Sequence, residues 1–144
     1  VNYNDPVSDE ENRKMELAIR RSHGDQVVEC VDNDETAAVI ANLVHAKKLV
    51  LMTSTEGIYR DPADPKTLVE QVTAKSMDEL EEKVRRLQES CVGASRAGAN
   101  GAKAKLEYAL KSARQGTMVI IGHARHRLSD LVEGRVACTR IGLE

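Results

Sequence analysis

Four short segments of this chain carry residue types that could do chemistry, and each combines polar side chains with turn formers. Two are acidic and amide-rich: Asn2 to Asp5, and Asp32 to Asp34. Two carboxylates aimed into one cleft, with Asn donors beside them, could hold an ammonium group or Mg²⁺ and steer a nucleophile. Asn and Asp also crowd turns and helix N-caps for backbone reasons alone, so at this level both readings stand. A third segment, Thr53 to Asp61, contains Ser54, Gly57 and Tyr59 and is too rich in turn formers to continue a regular element. The fourth runs from Gly93 to Lys105, small residues leading into a helix with Lys103 and Lys105 placed in its first turn. Free backbone N–H groups and the positive end of a helix dipole make a phosphate site, and lysine adds a point charge for a phosphoryl group in transfer. A solvated lysine is the competing reading, and no Gly-Lys-Ser/Thr follows the glycines as a Walker A loop requires.

Other candidates are weaker. His123 and His126 lie beside Arg125 and Arg127 with no cysteine or carboxylate at zinc-site spacing, so no metal site is assigned. There is no Gly-x-Ser-x-Gly elbow. Cys30, Cys91 and Cys138 are an odd set without CxxC spacing, which fits buried thiols in a reducing, cytoplasmic compartment better than a disulfide framework.

The elements that must position these loops follow from hydrophobic period. Ser8 and Glu11 form a capping box ahead of a polar helix over residues 9 to 21, and Val27 to Val31 is a brief β-branched run. A helix introduced by Asp32-Asn33-Asp34 carries Ala37, Ile40, Leu43 and Val44 and ends near Ala46. Leu49 to Met52 is continuously apolar, as expected of a strand buried on both faces of a parallel sheet. A short strand over Val69 to Thr73 follows, then a second capping box, Ser76 with Glu79, starts a helix ending before Gly93. Asn100 is placed as the cap of a helix terminated at Gly116, and Thr117 to Ile121 is a second buried strand. A short helix from Leu128 to Glu133 and a strand near Val136 to Ile141 complete the order. Strands alternate with helices, so the expected class is a mostly parallel α/β fold, with ligands at the carboxyl ends of its strands.

The 144 residues suit one domain, without an internal repeat or low-complexity tract. With 41% apolar and 31% charged residues and a net charge of −2, the chain has the make-up of an ordinary globule, and nothing in its charge points to nucleic acid or anionic membrane. Its aromatics are three tyrosines, which leaves almost no stacking platforms for bases. No apolar run approaches the roughly 20 residues of a membrane-spanning helix.

Taken in order, the segments resemble the carboxyl-terminal half of the amino acid kinase superfamily, which includes glutamate 5-kinase, acetylglutamate kinase, aspartokinase and bacterial uridylate kinase. Asn2-Tyr3-Asn4-Asp5 resembles the Asn-Glu-Asn-Asp segment of glutamate 5-kinases, and Asp32-Asn33-Asp34 with Thr36-Ala37-Ala38 resembles their Asp-Asn-Asp helix start. Leu49 to Asp61, LVLMTSTEGIYRD, resembles the strand and loop LLLLTDxxGLYxxDP. Gly101 to Leu106, GAKAKL, resembles GGMxTKL with its phosphate-binding lysine, and Gly134 to Ile141 resembles the closing strand GExxGTxF. The sequence departs at Ser54, where the family has Asp, at Asn100 for a second glycine, and at Ala102 for methionine. About two dozen residues separate the two acidic segments where glutamate 5-kinases have a much shorter link, so residues 6–26 are expected to be an insertion.

The resemblance implies a three-layer α/β/α sandwich and ATP-dependent phosphoryl transfer to a small acceptor, glutamate 5-kinase-like or uridylate kinase-like, with Mg²⁺ accompanying ATP. Asn4, Asp5 and Asn33 would touch the acceptor. Asp34 and Lys105 would be catalytic, the first orienting groups around the phosphoryl and the second neutralising phosphate charge. Thr53, Ser54, Gly57, Tyr59, Asp61, Gly101 and Lys103 would lie with Lys105 along the nucleotide. Residues 1–144 are then a single domain or part-domain supplying the ATP-binding half. They would be completed by an amino-terminal half or a partner chain, expected to form a homo-oligomer, and not competent in transfer alone. The alternative is a non-catalytic nucleotide-binding or regulatory module. Either way, Asp34 and Lys105 must face one cleft.

Overall fold

The computed structural model describes residues 33–92 and 99–144. The expected helix over 9–21, the strand over 27–31 and the insertion at 6–26 lie outside the described residues, as do Asn4 and Asp5.

The described elements run in the order α1 (Asn33–Leu43), β1 (Lys48–Thr53), β2 (Gln71–Ala74), α2 (Met77–Val92), α3 (Ala99–Ala113), β3 (Met118–His123), α4 (Leu128–Glu133) and β4 (Thr139–Leu143), with a 3₁₀ turn at Pro65–Thr67. The sheet order is β1-β3-β4-β2. β1 pairs parallel with β3, β2 pairs parallel with β4, and β3 meets β4 antiparallel, so the sheet is mixed and mostly parallel.

Alternation along the strands builds two apolar layers. Val119, Ile121, Leu51 and Ile141 point into a large core with Leu80 and Val84 of α2 and Leu106 and Leu110 of α3. Ile120 points the other way, against Leu131 of α4 and Cys138. Helices therefore cover both faces of the sheet. Val119, Ile120 and Ile121 have no exposed surface, as a continuously apolar strand between two helix layers requires. β1 corrects the expectation of burial on both faces: it lies at one margin of the described sheet, and Met52 is 49% exposed while Leu51 is buried.

Helix ends follow local chemistry. The Ser76 hydroxyl accepts from the Glu79 N–H at 3.3 Å, as the capping box predicts. α3 starts at Ala99, so Asn100 lies inside its first turn rather than at its cap, and Lys103 and Lys105 fall in its second turn rather than its first. The end of α3 is as read: Gly116 takes a φ of +81°, which costs glycine little, and the Thr117 N–H returns to the Ser112 carbonyl at 3.1 Å. The expected strands over 69–73 and 136–141 each begin later, at Gln71 and Thr139, because Val69 is already bonded to Ile58 across the loop and Cys138 packs under α4.

Candidate functional site

Both α1 and α3 feed a parallel strand through a short turn, α1 into β1 and α3 into β3. Each helix packs on its strand, so its amino end lies towards the carboxyl end of that strand. The far ends are tied together: the Thr117 hydroxyl donates to the Ala46 carbonyl at 2.7 Å, and the Met118 N–H to the Lys47 carbonyl at 3.0 Å.

At the near ends Asp34 and Lys105 meet. Lys105 Nζ donates to Asp34 Oδ2 at 2.7 Å, across 71 residues of chain, with the two side chains 21% and 13% exposed. Asp34 is in the first turn of α1, where the helix dipole favours a carboxylate. Lys105 projects from the second turn of α3. The helices are held in register one turn further along, where Tyr108 Oη donates to Glu35 at 3.3 Å and Lys111 lies over the Tyr108 ring at 5.0 Å. A groove of about 550 Å³ opens beside the pair, floored by Leu49 and Leu51 and walled by Ala37 and Ile40.

The remaining expected residues are distributed as follows. Asn33 is the first residue of α1. Gly101 is in the first turn of α3, and among the described residues nothing lies within 4 Å of where a Cβ would be. Packing thus gives no reason for a residue that weakens a helix by about 1 kcal/mol relative to Ala. Lys103 is exposed, and its carbonyl accepts from Gln88 Nε2 at 3.1 Å. Thr53 ends β1, half-buried, and Ser54 is exposed beyond it.

Gly57 and Tyr59 are held in place by the loop's own structure. The Ile58 N–H donates to Thr139 Oγ1 at 2.8 Å, and the Ile58 carbonyl accepts from the Val69 N–H at 2.8 Å. Tyr59 bridges antiparallel to Leu68. Asp61 serves its own turn, its carboxylate accepting from the Ala63 N–H at 2.9 Å. Thr53 and Ser54 thus sit at the carboxyl end of the parallel pair, whereas Asp61 is spent on the descending loop.

The sequence reading missed two features. Thr139 is fully buried and anchors the loop after β1, a role visible only once β4 is known to lie beside that loop. In the sequence His123 and His126 read only as poor zinc ligands, with Arg125 as their neighbour. Among the described residues no group of three or more His, Cys, Asp or Glu gathers closely enough to hold a metal ion. Instead His126 and Arg125 both pair with Glu56, in the loop after β1. Cys91 and Cys138 are free and buried, as expected, and burial raises the Cys91 thiol pKa above its ordinary value.

Residues 18–123 match the amino acid kinase family. The chain belongs to that family. Among curated relatives, the acetylglutamate kinase of Methanopyrus kandleri is 44% identical over 59 residues, covering 41% of this chain and 24% of the relative. The glutamate 5-kinase of Geobacillus kaustophilus is 35% identical over 115 residues, 78% of this chain and 29% of the relative. The chain therefore spans less than a third of the length of these relatives. Among solved structures, the carbamate kinase of Giardia lamblia bound to AMP-PNP superposes with a TM-score of 0.59 at 20% identity, covering 83% of this chain and 34% of that one. This likeness fixes the fold as that of the family. Among the described residues no helix is long and apolar enough to cross a membrane.

Proposed function

We propose that this chain supplies the nucleotide-binding part of an ATP-dependent small-molecule kinase, with Asp34 and Lys105 as its catalytic pair. The observation that carries the reading is the 2.7 Å contact between Lys105 Nζ and Asp34 Oδ2 at adjoining helix starts. A lysine held there by a carboxylate is a fixed positive charge beside backbone N–H groups, an arrangement suited to phosphate oxygens. ATP supplies the phosphoryl group when bound. Lys105 neutralises charge on the phosphates and Asp34 holds the ammonium in position, so the protein contributes positioning and electrostatics, the main terms in phosphoryl transfer.

Thr53, Ser54, Gly57 and Tyr59 would line the nucleotide from the β1 side, and Gly101 would let the α3 backbone approach it closely. Lys103 and Asp61 belong to the same proposal, the second by resemblance alone. Asn4, Asp5 and Asn33 would meet the acceptor. Mg²⁺ suits this donor set as a phosphate-bound ion, since it keeps waters and needs only one or two carboxylates. The named relatives support an amino acid acceptor, with glutamate 5-kinase matching over most of this chain; a uridylate kinase-like acceptor rests on resemblance alone. We treat residues 1–144 as one part-domain with an insertion at 6–26, working with further chain or a partner in a homo-oligomer in the cytoplasm; the buried free cysteines accord with that compartment.

Calorimetric titration with Mg-ATP tests the reading. Heat of binding by the wild-type chain, lost or weakened at least tenfold in Lys105→Ala, is expected, and no binding by the wild type would overturn it. In an assembly that turns over glutamate, acetylglutamate or uridine monophosphate, Lys105→Ala is expected to lower turnover by about 10² to 10³. Asp34→Asn is expected to lower turnover more than ATP affinity. Binding without turnover on any acceptor would make the chain a nucleotide-sensing module.

A further inference from the structure

β1 and β3 end level with one another, Thr53 opposite His123, and the backbone bond at that end runs from the Ala124 N–H to the Thr53 carbonyl at 2.8 Å. Beyond it the two chains part into separate loops, and the Glu56 carboxylate joins them again. One of its oxygens lies 2.6 Å from His126 Nε2, and the other pairs with the Arg125 guanidinium. A carboxylate only accepts, so His126 donates through Nε2. The Glu56 and His126 side chains are 18% and 20% exposed, which shields their contact from solvent screening; Arg125 is 64% exposed.

The receiving turn is itself ordered. The Arg125 N–H donates to His123 Nδ1 at 3.0 Å, and the His126 N–H to the His123 carbonyl at 3.1 Å. On the other side of Glu56, Gly57 and Ile58 are fixed on Thr139. Ser54 and Thr55 therefore form an exposed arch with both ends held: the last residue of β1 on one side, and the Glu56 clamp with the Thr139 anchor on the other.

The geometry points to Glu56 as a positioning residue for nucleotide binding, clamped by His126 and Arg125 so that the Ser54–Thr55 arch meets the nucleotide already ordered. This inference rests on the nucleotide reading above and concerns a residue that acts through the arch without touching the ligand. Loops at the carboxyl ends of parallel strands are where ligands of such sheets bind. A partly buried ion pair adds little stability that apolar packing would not match. Its use here is to set the ordering of the arch in advance of binding. Fixing one residue's backbone takes about the free energy of a tenfold change in affinity, so freeing the arch is expected to weaken Mg-ATP by about tenfold or more.

The test compares wild type with Glu56→Ala, His126→Ala and His126→Gln, with Arg125→Ala as an exposed variant that keeps the fold. Three measurements are made on the whole chain: amide exchange of residues 54–59 without nucleotide, the Mg-ATP dissociation constant, and the global unfolding midpoint. Glu56→Ala and His126→Ala are expected to speed exchange at 54–59 about tenfold with α3 unchanged, and to weaken Mg-ATP about tenfold. Gln at position 126 can donate to Glu56, so His126→Gln is expected to recover most of both losses. Unchanged exchange at 54–59, or faster exchange with intact affinity, would overturn the positioning role and leave the nucleotide reading standing. A fall in affinity that only follows the global midpoint would do the same, as would the absence of any effect of Arg125→Ala on the arch should the other variants not fold. A wild-type chain that takes up no Mg-ATP would remove both readings, with the exchange data still reporting whether the clamp orders the arch.

Discussion

Thr139 has no exposed surface, and its hydroxyl accepts from an N–H 81 residues away, so one buried side chain holds the loop after β1 against β4. Thr139→Val keeps the shape and removes the acceptor. The Ile58 N–H is then buried without a partner, and the urea midpoint should fall by an amount corresponding to about 1–3 kcal/mol. Gly57→Ala attacks the same contact from the other side, because its Cβ would fall 2.3 Å from Thr139 Oγ1 and 3.0 Å from the Thr139 backbone nitrogen. The backbone cannot yield as a flexible side chain can, and a loss of about 1–3 kcal/mol is expected from the overlap. The two residues touch, so the double variant should lose less than the sum of the singles; strict additivity would mean that they act independently. At this scale Asp34 and Lys105 stand out in the sequence through the resemblance of their segments to the family's helix starts, and the structure brings the two side chains within 2.7 Å of each other. It hides Thr139 and the Glu56–His126 pair, since a threonine in a strand or a histidine in a turn announces nothing until its distant partner is known.

Among the elements, α2 and α3 form the most explicit interface. Leu80, Val84, Leu106 and Leu110 fill it, each with at most 1% exposure, and a polar seam of Arg85, Gln88 and Glu107 closes its rim. The Glu107 carboxyl is held below its ordinary 4.5, first by the hydrogen bond from Arg85, against an opposing effect of burial. A folded-state value below the unfolded one means stability that is fully present above about pH 4.5 and is lost as pH falls through the lower, folded value. The urea midpoint of the wild type should therefore drop on acidification below that point, and Glu107→Gln should flatten part of the slope. Glu79 and Glu81 are lowered too, by Lys83 and Arg114 respectively, so the slope should shrink without vanishing. An identical slope in Glu107→Gln would show that the seam is too well solvated to matter. Ser76→Ala tests the helix start: about 1 kcal/mol should be lost with the cap. These elements were legible because their signals are local: a capping box, a helical stripe ending at a glycine, an apolar run. The start of α3 was not, since Asn100 has the chemistry of a cap but lies within the first turn of a helix that begins at Ala99.

For the whole molecule, the alternation of strands and helices predicts a mostly parallel sheet, and that is the sheet observed. What alternation cannot give is strand order, because pairing joins residues far apart in sequence: β1 with β3 across about 70 residues and β2 with β4 across a similar distance. β4 is the piece that joins them. It runs antiparallel to β3 and parallel to β2, supplies Ile141 to the main core without any exposed surface, and carries Thr139. Its backbone also secures both ends of β2, through the Arg140 N–H to the Glu70 carbonyl at 2.9 Å and the Glu144 N–H to the Ala74 carbonyl at 3.0 Å. Without β4, the parallel pair of β1 and β3 would keep its ladder, whereas β2 would have no strand partner and the loop after β1 no anchor. A chain ending at Ala137 should accordingly lose its single cooperative unfolding transition, followed by circular dichroism at 222 nm as a flattened melt. Ile141→Ala should keep the transition and lower it by about 2–5 kcal/mol, as for a fully buried large-to-small change. Leu143→Ala, at a position 38% exposed, should do much less. If the shortened chain instead melts as one unit at the wild-type midpoint, the two halves of the sheet are held together by α2 and α3 rather than by the strand between them, and the loop after β1 owes its shape to contacts other than Thr139.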